Sequence, residues 1–245
     1  MNILLNVFFG PTVNASRGIA YQVNSAVSQF FTNFYTAVRP QITKYYSRNE
    51  LENMFSLVFR SSKFSFYLIF LLSLPIIIEA PFIINLWLGQ LPEYVVPFVR
   101  IIVVITAIDS MSNPLMTSAH ATGNIKFYQF TVGMMNIMIL PASYIVLKIG
   151  GCSPVVVFIV SLCASIISLF LRYINEVFVK SILIGLIASI MPLVMHKLLS
   201  PSSFVSVLIC AVCVLSTLIV VYIFGITNGE RNFVKSIIKK IINRL

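Results

Sequence analysis

Six stretches of this chain are long and apolar enough to cross a lipid bilayer as helices, and the connections between them alternate in charge. A hydrocarbon core ~30 Å thick takes about 20 apolar residues per helical span. The segments 64–88, 94–118, 125–148, 154–174, 180–199 and 203–225 each reach that length. A seventh stretch, 12–38, is long enough but far more polar, and an eighth, 1–9, is too short to cross. Lipid offers no hydrogen bonds to an open backbone, so spanning segments of this length must be helices. With 58% hydrophobic and only 10% charged residues, the expected fold class is all-α, a polytopic inner-membrane helical bundle.

Lys and Arg near the span ends set the orientation. Arg39, Lys44, Arg48, Arg60 and Lys63 lie in the 39–63 connection, Lys126 in the next basic turn, and Arg172 and Lys180 in the one after. Arg231, Lys235, Lys239, Lys240 and Arg244 lie in the tail. These thirteen alternate with connections that hold only Lys148 and Lys197, while Arg17 and Arg100 fall inside spans. The split predicts a cytoplasmic 39–63 loop and a cytoplasmic C-terminus. The +10 net charge is then an orientation signal. It argues for contact with anionic headgroups and against a nucleic-acid partner.

Met1–Phe9 has neither a basic n-region nor a small-residue cleavage site, so it does not read as a signal peptide. Gly10-Pro11 ends it after about 13 Å of helix. If 12–38 runs from outside to inside, residues 1–11 are the remnant of a truncated transmembrane helix, and the chain starts within a larger protein. A short re-entrant or interfacial leader is the alternative.

Segment 12–38 carries the most functional information. At about 100° per residue, Arg17, Tyr21, Gln22, Asn24, Ser25, Ser28, Gln29, Thr32, Asn33 and Thr36 fall in one half of the helical wheel. Ile19, Val23, Val27, Phe30, Phe34, Ala37 and Val38 fall in the other. Lipid cannot satisfy amides, hydroxyls and a cation, so the polar half is expected to meet protein or a water-filled cavity. An amphipathic helix lying on the membrane surface is the alternative. Such helices usually carry several Lys, and this polar half has one Arg and none.

In 94–118, Thr106, Asp109, Ser110, Asn113 and Thr117 share a narrower arc. Asp109 lies roughly 15 residues from the outer end, past the midplane, where a carboxylate costs about 2.5–3.5 kcal/mol on insertion scales. Two readings stay open: proton or ion coupling, and a satisfied structural carboxylate. Asn113, four residues on, is the expected partner. Arg100 is on the opposite side of that helix and is expected to snorkel outward. Glu79, beside Pro81 near an outer end, is expected to be partly hydrated, with Trp87 and Tyr94 in an outer aromatic belt.

Cys210 and Cys213 form a C-x-x-C inside an apolar run, with Cys152 and Cys163 elsewhere. Without paired motifs or adjacent His they read as small apolar residues, not zinc ligands or a redox pair. His120 and His196 stand singly, and no metal or other cofactor is expected. Pro40, Pro75, Pro97, Pro114, Pro141 and Pro192 mark helix ends or kinks. No P-loop is present, and the outer connections leave no room for a catalytic domain, so enzymatic chemistry is not expected.

Phe8-Phe9-Gly10-Pro11-Thr12-Val13-Asn14-Ala15-Ser16-Arg17-Gly18-Ile19-Ala20 resembles the start of the second half of bacterial polysaccharide flippases. So do Arg39-Pro40-Gln41-Ile42-Thr43-Lys44, Leu86-Trp87-Leu88-Gly89 with Pro92-Glu93-Tyr94, Asn113-Pro114-Leu115-Met116 and Ala121-Thr122-Gly123-Asn124. The resemblance covers about residues 3–148; beyond 150 it rests on hydrophobicity and span count. This family belongs to the superfamily of multidrug and oligosaccharidyl-lipid exporters. The resemblance implies the second lobe of a two-lobe exporter over 12–174, two extra C-terminal helices over 175–227 and a basic cytoplasmic tail over 228–245. The first lobe is lacking. It implies translocation of a polyprenyl-pyrophosphate-linked oligosaccharide for O-antigen, capsule or lipopolysaccharide assembly. Gln22, Asn24, Ser25, Ser28, Gln29, Asn33 and Asn113 would line the sugar cavity, with Arg17 on the pyrophosphate and Asp109 as ion-coupling carboxylate. The implied partners are the bilayer, the lipid-linked oligosaccharide and an absent N-terminal lobe. A drug/cation antiporter, an inactive half-transporter and a membrane glycosyl polymerase or ligase are the alternatives. The first would favour acidic and aromatic cavity residues, and the last a long external loop.

Overall fold

The computed structural model describes residues 2–123, 125–150, 153–170, 178–199 and 202–225, and every regular element among them is helical. They are α1 (Asn2–Phe9), α2 (Pro11–Ser47), α3 (Leu51–Ile78), α4 (Ala80–Leu88), α5 (Val95–Ser110), α6 (Ser112–Ala121) and α7 (Lys126–Gly150). After these come α8 (Val155–Phe170), α9 (Phe178–Leu198), α10 (Ser203–Val220) and a π-helical turn, Val221–Gly225. Five stretches are long and apolar enough to cross a membrane: Leu51–Ile78, Val95–Ala121, Val132–Ile149, Ser181–Leu198 and Ser203–Gly225. This is a multi-span helical membrane protein. The expected 154–174 span is represented by a helix of 16 residues, and 171–174 lie outside the described residues.

The breaks between helices follow from Gly and Pro. Gly10, at φ 81°, separates α1 from α2, and Pro11 occupies the first turn of α2, where its missing N–H costs nothing. Gly89 ends α4 in the left-handed conformation, its N–H donating to the Asn85 carbonyl at 2.8 Å.

Pro81 interrupts the expected 64–88 span at Glu79, splitting it into α3 and α4. A proline cannot donate to the carbonyl four residues back, which here is Ile77. Arg100 on α5 replaces that donor: its Nε donates to Ile77 O at 2.8 Å and its Nη2 to Ile78 O at 3.4 Å. Arg100 therefore does not snorkel outward as expected; it caps the end of α3. The kink at Pro192 is treated in the same way. It orphans Ala188 O, and Ser216 Oγ on α10 donates to it at 3.1 Å. In lipid, breaks of this kind survive only where neighbouring helices re-satisfy the backbone.

α2 and α3 are the central pair, with α5 and α6 packed on both, α8 on α5, α7 on α8, and the α9–α10 pair on α3. One core cluster gathers Leu5, Val13, Ala20, Ile84, Phe98 and Phe158; a second gathers Val27, Phe31, Phe66, Ile69, Ile108, Met111 and Leu169. Buried Ser61, Ser65 and Ser73 give α3 a narrow profile, and each hydroxyl donates to a carbonyl of its own helix at 2.6–2.7 Å. Exposed Ile, Leu, Val, Met and Phe cover α7, α9 and α10, as a surface in contact with acyl chains requires.

One expected loop and one expected span are structured otherwise. The 39–63 connection is a helical hairpin: α2 continues through Pro40 to Ser47, and α3 starts at Leu51. Ile42, Met54 and Val58 are buried between the two helices, with Tyr45, Tyr46 and Leu57 packed around them, and this burial offsets the lost Pro40 hydrogen bond. The 94–118 span is divided at Met111 into α5 and α6, with Pro114 at the third position of α6. The 228–245 tail lies outside the described residues.

Candidate functional site

α2 presents its apolar half to the bundle and its polar half outward. Val13, Ala20, Val27 and Phe31 are buried, and Val23 and Ile19 pack against the same core. Gln22, Ser25, Gln29 and Asn33 are exposed, with Arg17, Asn24 and Ser28 half-buried at the edge of the face. Ser25 and Gln29 were expected to meet a cavity or another helix of this chain; they stand on its surface instead. Thr32 and Thr36 spend their hydroxyls on carbonyls one turn back, Ser28 O at 3.0 Å and Thr32 O at 2.8 Å. The amides of Gln22, Gln29 and Asn33 share the outer surface with the rings of Tyr21 and Phe30.

Arg17 sits at one end of this face. Its guanidinium donates to the Asn2 side-chain carbonyl of α1 and stacks 4.3 Å from the Tyr21 ring centroid. Its Nε is buried without a hydrogen-bond partner, and so is Asn14 Oδ1 one turn earlier. The unmet acceptor on Asn14 is a feature that sequence reasoning missed. The i, i+3 spacing of Asn14 to Arg17 was the available sequence signal.

Two hydrogen bonds tie the polar face to the helices behind it. Thr106 Oγ1 on α5 donates to Asn24 Oδ1 at 2.5 Å. Tyr35 Oη donates to the Asn113 carbonyl at 2.8 Å and shares a hydrogen bond with Thr117 Oγ1 of α6. Asn113 does not join the amides of α2. Its backbone meets Tyr35, while its side chain points to a second site.

That second site is a cavity of about 210 Å³ between α5, α6, α7 and α8. Asp109, Ser112, Asn113, Asn136, Ser165 and Ser168 supply its polar lining, and Met116, Val132, Met135, Ile139 and Ala164 the rest. Asn113 was the expected partner of the Asp109 carboxylate, but its Nδ2 donates to the Asp109 backbone carbonyl, at 3.3 Å. Asn136, Ser165 and Ser168 come from helices that looked uniformly apolar, so no sequence signal singled them out. One carboxylate among amide and hydroxyl oxygens can exchange a proton or hold a small monovalent cation. No cluster of three or more His, Cys, Asp or Glu residues with metal-binding geometry occurs among the described residues.

Glu79 departs from expectation too. It is 4% exposed, and its Oε1 lies 2.8 Å from His196 Nδ1 of α9. The half-hydrated boundary carboxylate is thus a buried partner of a histidine 117 positions away. Cys163, Cys210 and Cys213 are free thiols; Cys152 lies outside the described residues. No family model, no curated protein and no solved structure matches the chain.

Proposed function

We propose that this chain is one lobe of a polysaccharide-type exporter of the bacterial inner membrane, passing a polyprenyl-pyrophosphate-linked oligosaccharide across the bilayer during O-antigen, capsule or lipopolysaccharide assembly. The observation that carries this reading is the contrast in outer surfaces. α7, α9 and α10 expose Ile, Leu, Val and Phe, whereas α2 exposes Gln22, Ser25, Gln29 and Asn33. Lipid would leave those amides unsatisfied. Sugars, and the water around them, satisfy amides and hydroxyls well. A facing lobe, in the same polypeptide or another, closes the cleft in this proposal, and the lipid tail stays in the bilayer.

Arg17 supplies the charge for the pyrophosphate end, because guanidinium binds phosphate oxygens in a bidentate fork. Asp109 and the oxygens around it form the ion-coupling site. Tyr35 connects that site to the substrate face, since its hydroxyl holds the Asn113 carbonyl. A drug/cation antiporter is the poorer fit: residues 12–38 include no Asp or Glu to attract a cationic drug.

Complementation tests the proposal. In a strain lacking its oligosaccharide-lipid flippase, the chain together with a flippase N-terminal lobe is expected to restore surface polysaccharide, and the chain alone is not. Restoration by the chain alone would remove the need for a facing lobe. Failure of both, with protein present in the membrane at normal amounts, would count against the flippase reading.

A further inference from the structure

The hairpin where α2 turns into α3 has a chemistry that the translocation reading does not use. α2 is 37 residues long, about 55 Å of helix, against ~30 Å of hydrocarbon. Counting about 20 residues back from Ile78 along α3 places the hydrocarbon edge near Phe59. The last turns of α2 and the first turns of α3 therefore stand in the headgroup layer and beyond it. The chain reverses over residues 48–50, with Asn49 at φ 60°, and the helices return antiparallel around Ile42, Met54 and Val58. Positions equidistant from Asn49 lie at one depth. Arg39 is level with Phe59, and Lys44 with Met54 and Phe55.

Two surfaces meet at those depths. On α2, Arg39, Pro40, Thr43, Lys44 and Ser47 line an open groove of about 470 Å³, and all five are exposed. The groove holds two cations and no acid. Thr43 and Ser47 hydroxyls donate to the Arg39 and Lys44 carbonyls at 3.3 and 2.9 Å, so charge on an incoming anion is met by the guanidinium and ammonium. On α3, Leu51, Phe55 and Phe59 recur every fourth residue and stay 44%, 47% and 41% exposed. The acids of the hairpin are confined to its tip and first turn: Glu50, which accepts from Asn53 Nδ2 at 2.9 Å, and Glu52. Cations and aromatic rings at a shared depth, on helices that continue into the bilayer, are the composition of an interfacial helix pair.

We propose that this hairpin is a seat for anionic phospholipid. The phosphodiester of a phosphatidylglycerol-type headgroup occupies the Arg39–Lys44 groove, and Phe55 and Phe59 stand among the headgroups and the upper acyl carbons. The orientation proposed above enters only in naming the leaflet, the cytoplasmic one. The seat itself depends on the hairpin and not on the transported substrate.

The full chain in detergent, delipidated and mixed with equal phosphatidylglycerol and phosphatidylcholine, is read by native mass spectrometry. Phosphatidylglycerol is expected to be retained preferentially. The Arg39→Gln, Lys44→Gln double variant should lose that preference, about fivefold for each cation removed, while Lys148→Gln should not. Circular dichroism and elution volume confirm that the variants are folded. Equal retention by wild type and double variant overturns the seat. Displacement by inorganic phosphate, but not by chloride at equal ionic strength, would assign the groove to a soluble anion and overturn it as well. A Trp87→Phe, Phe55→Trp reporter in phosphatidylglycerol-containing bilayers adds an independent arm. Quenching by headgroup-labelled lipid above that by deep acyl labels supports the seat, and quenching by neither sinks it.

Discussion

Arg17 and Arg100 are the two cations that the sequence places inside long helices, and the fold treats them differently. Arg100 is accounted for by a proline on another helix: Pro81 removes a donor and Arg100 restores it at Ile77 O. Replacing it by Met strands a carbonyl in an apolar setting, which costs about 1–3 kcal/mol. Arg100→Met is expected to lower the unfolding midpoint in detergent, with Arg100→Lys recovering part of it. An unchanged midpoint would show that water reaches Ile77 O. Arg17 stacks on Tyr21 and keeps a buried, unpaired Nε, so its deletion should act on transport more than on folding. In the complementing pair, Arg17→Ala should lose most surface polysaccharide and Arg17→Lys should retain some, since Lys keeps the charge but not the fork. Normal polysaccharide with Arg17→Ala at wild-type protein level would take Arg17 out of the mechanism. Asp109 is tested by Asp109→Asn, which preserves shape but removes the charge. It is expected to abolish any stabilisation by added sodium or protons in a thermal-shift assay, and an identical response in both proteins would leave Asp109 a structural carboxylate.

Among the helices, the informative contrast is between those whose irregularities are compensated and the one whose surface is not. α3 and α9 both break or kink at prolines, and both find replacement donors on a neighbour, Arg100 for Ile77 and Ser216 for Ala188. Interhelical hydrogen bonds in membranes average about 0.6 kcal/mol, so Ser216→Ala should lower stability only slightly. Glu79→Gln should matter more, because the α9–α10 pair is joined to the α3–α4 break by the Glu79–His196 contact. In a double-mutant cycle of Glu79→Gln and His196→Gln, the two losses in midpoint should be less than additive; strict additivity would mean that the pair is not coupled. On the polar half of α2, Asn24, Thr32 and Thr36 are hydrogen-bonded, while Gln22, Gln29 and Asn33 stand exposed. That is why its outer face, and not a kink, points to something beyond these helices. Periodicity placed Val27 inward and Gln22 and Gln29 outward as found, but Phe30 and Ala37, assigned to the apolar half, are exposed, because the buried stripe of α2 runs through Val13, Ser16, Ala20, Val27 and Phe31 and is narrower than that half. It could not say whether the outward half met a helix of this chain.

For the whole molecule, the basic ends define the remaining test. Single cysteines at Ser47 and Leu91, in a background without Cys152, Cys163, Cys210 and Cys213, should label oppositely with an impermeant reagent applied to intact cells: Leu91 labelled, Ser47 protected. Labelling of Ser47 from outside would reverse the orientation. Composition and periodicity by themselves determined the membrane-helical class, five of the six expected apolar spans and the two-sided character of α2, because burial in lipid or protein is written residue by residue in side-chain chemistry. The resemblance to flippases was legible only as motif order, and the polar groups it named are divided in space: the α2 amides on one surface, Asn113 with Asp109 in a cavity behind. Only the tertiary structure decided that 39–63 is a hairpin of helices, since Ile42 becomes worth burying only once Met54 and Val58 face it. Packing likewise settled the partners of Arg100 and Glu79, which depend on contacts from other helices, as far as 117 positions away in the case of Glu79. A local pattern cannot encode which distant carbonyl, amide or ring will arrive beside a buried polar group. That is fixed by how the helices pack, and packing is a property of all of them at once.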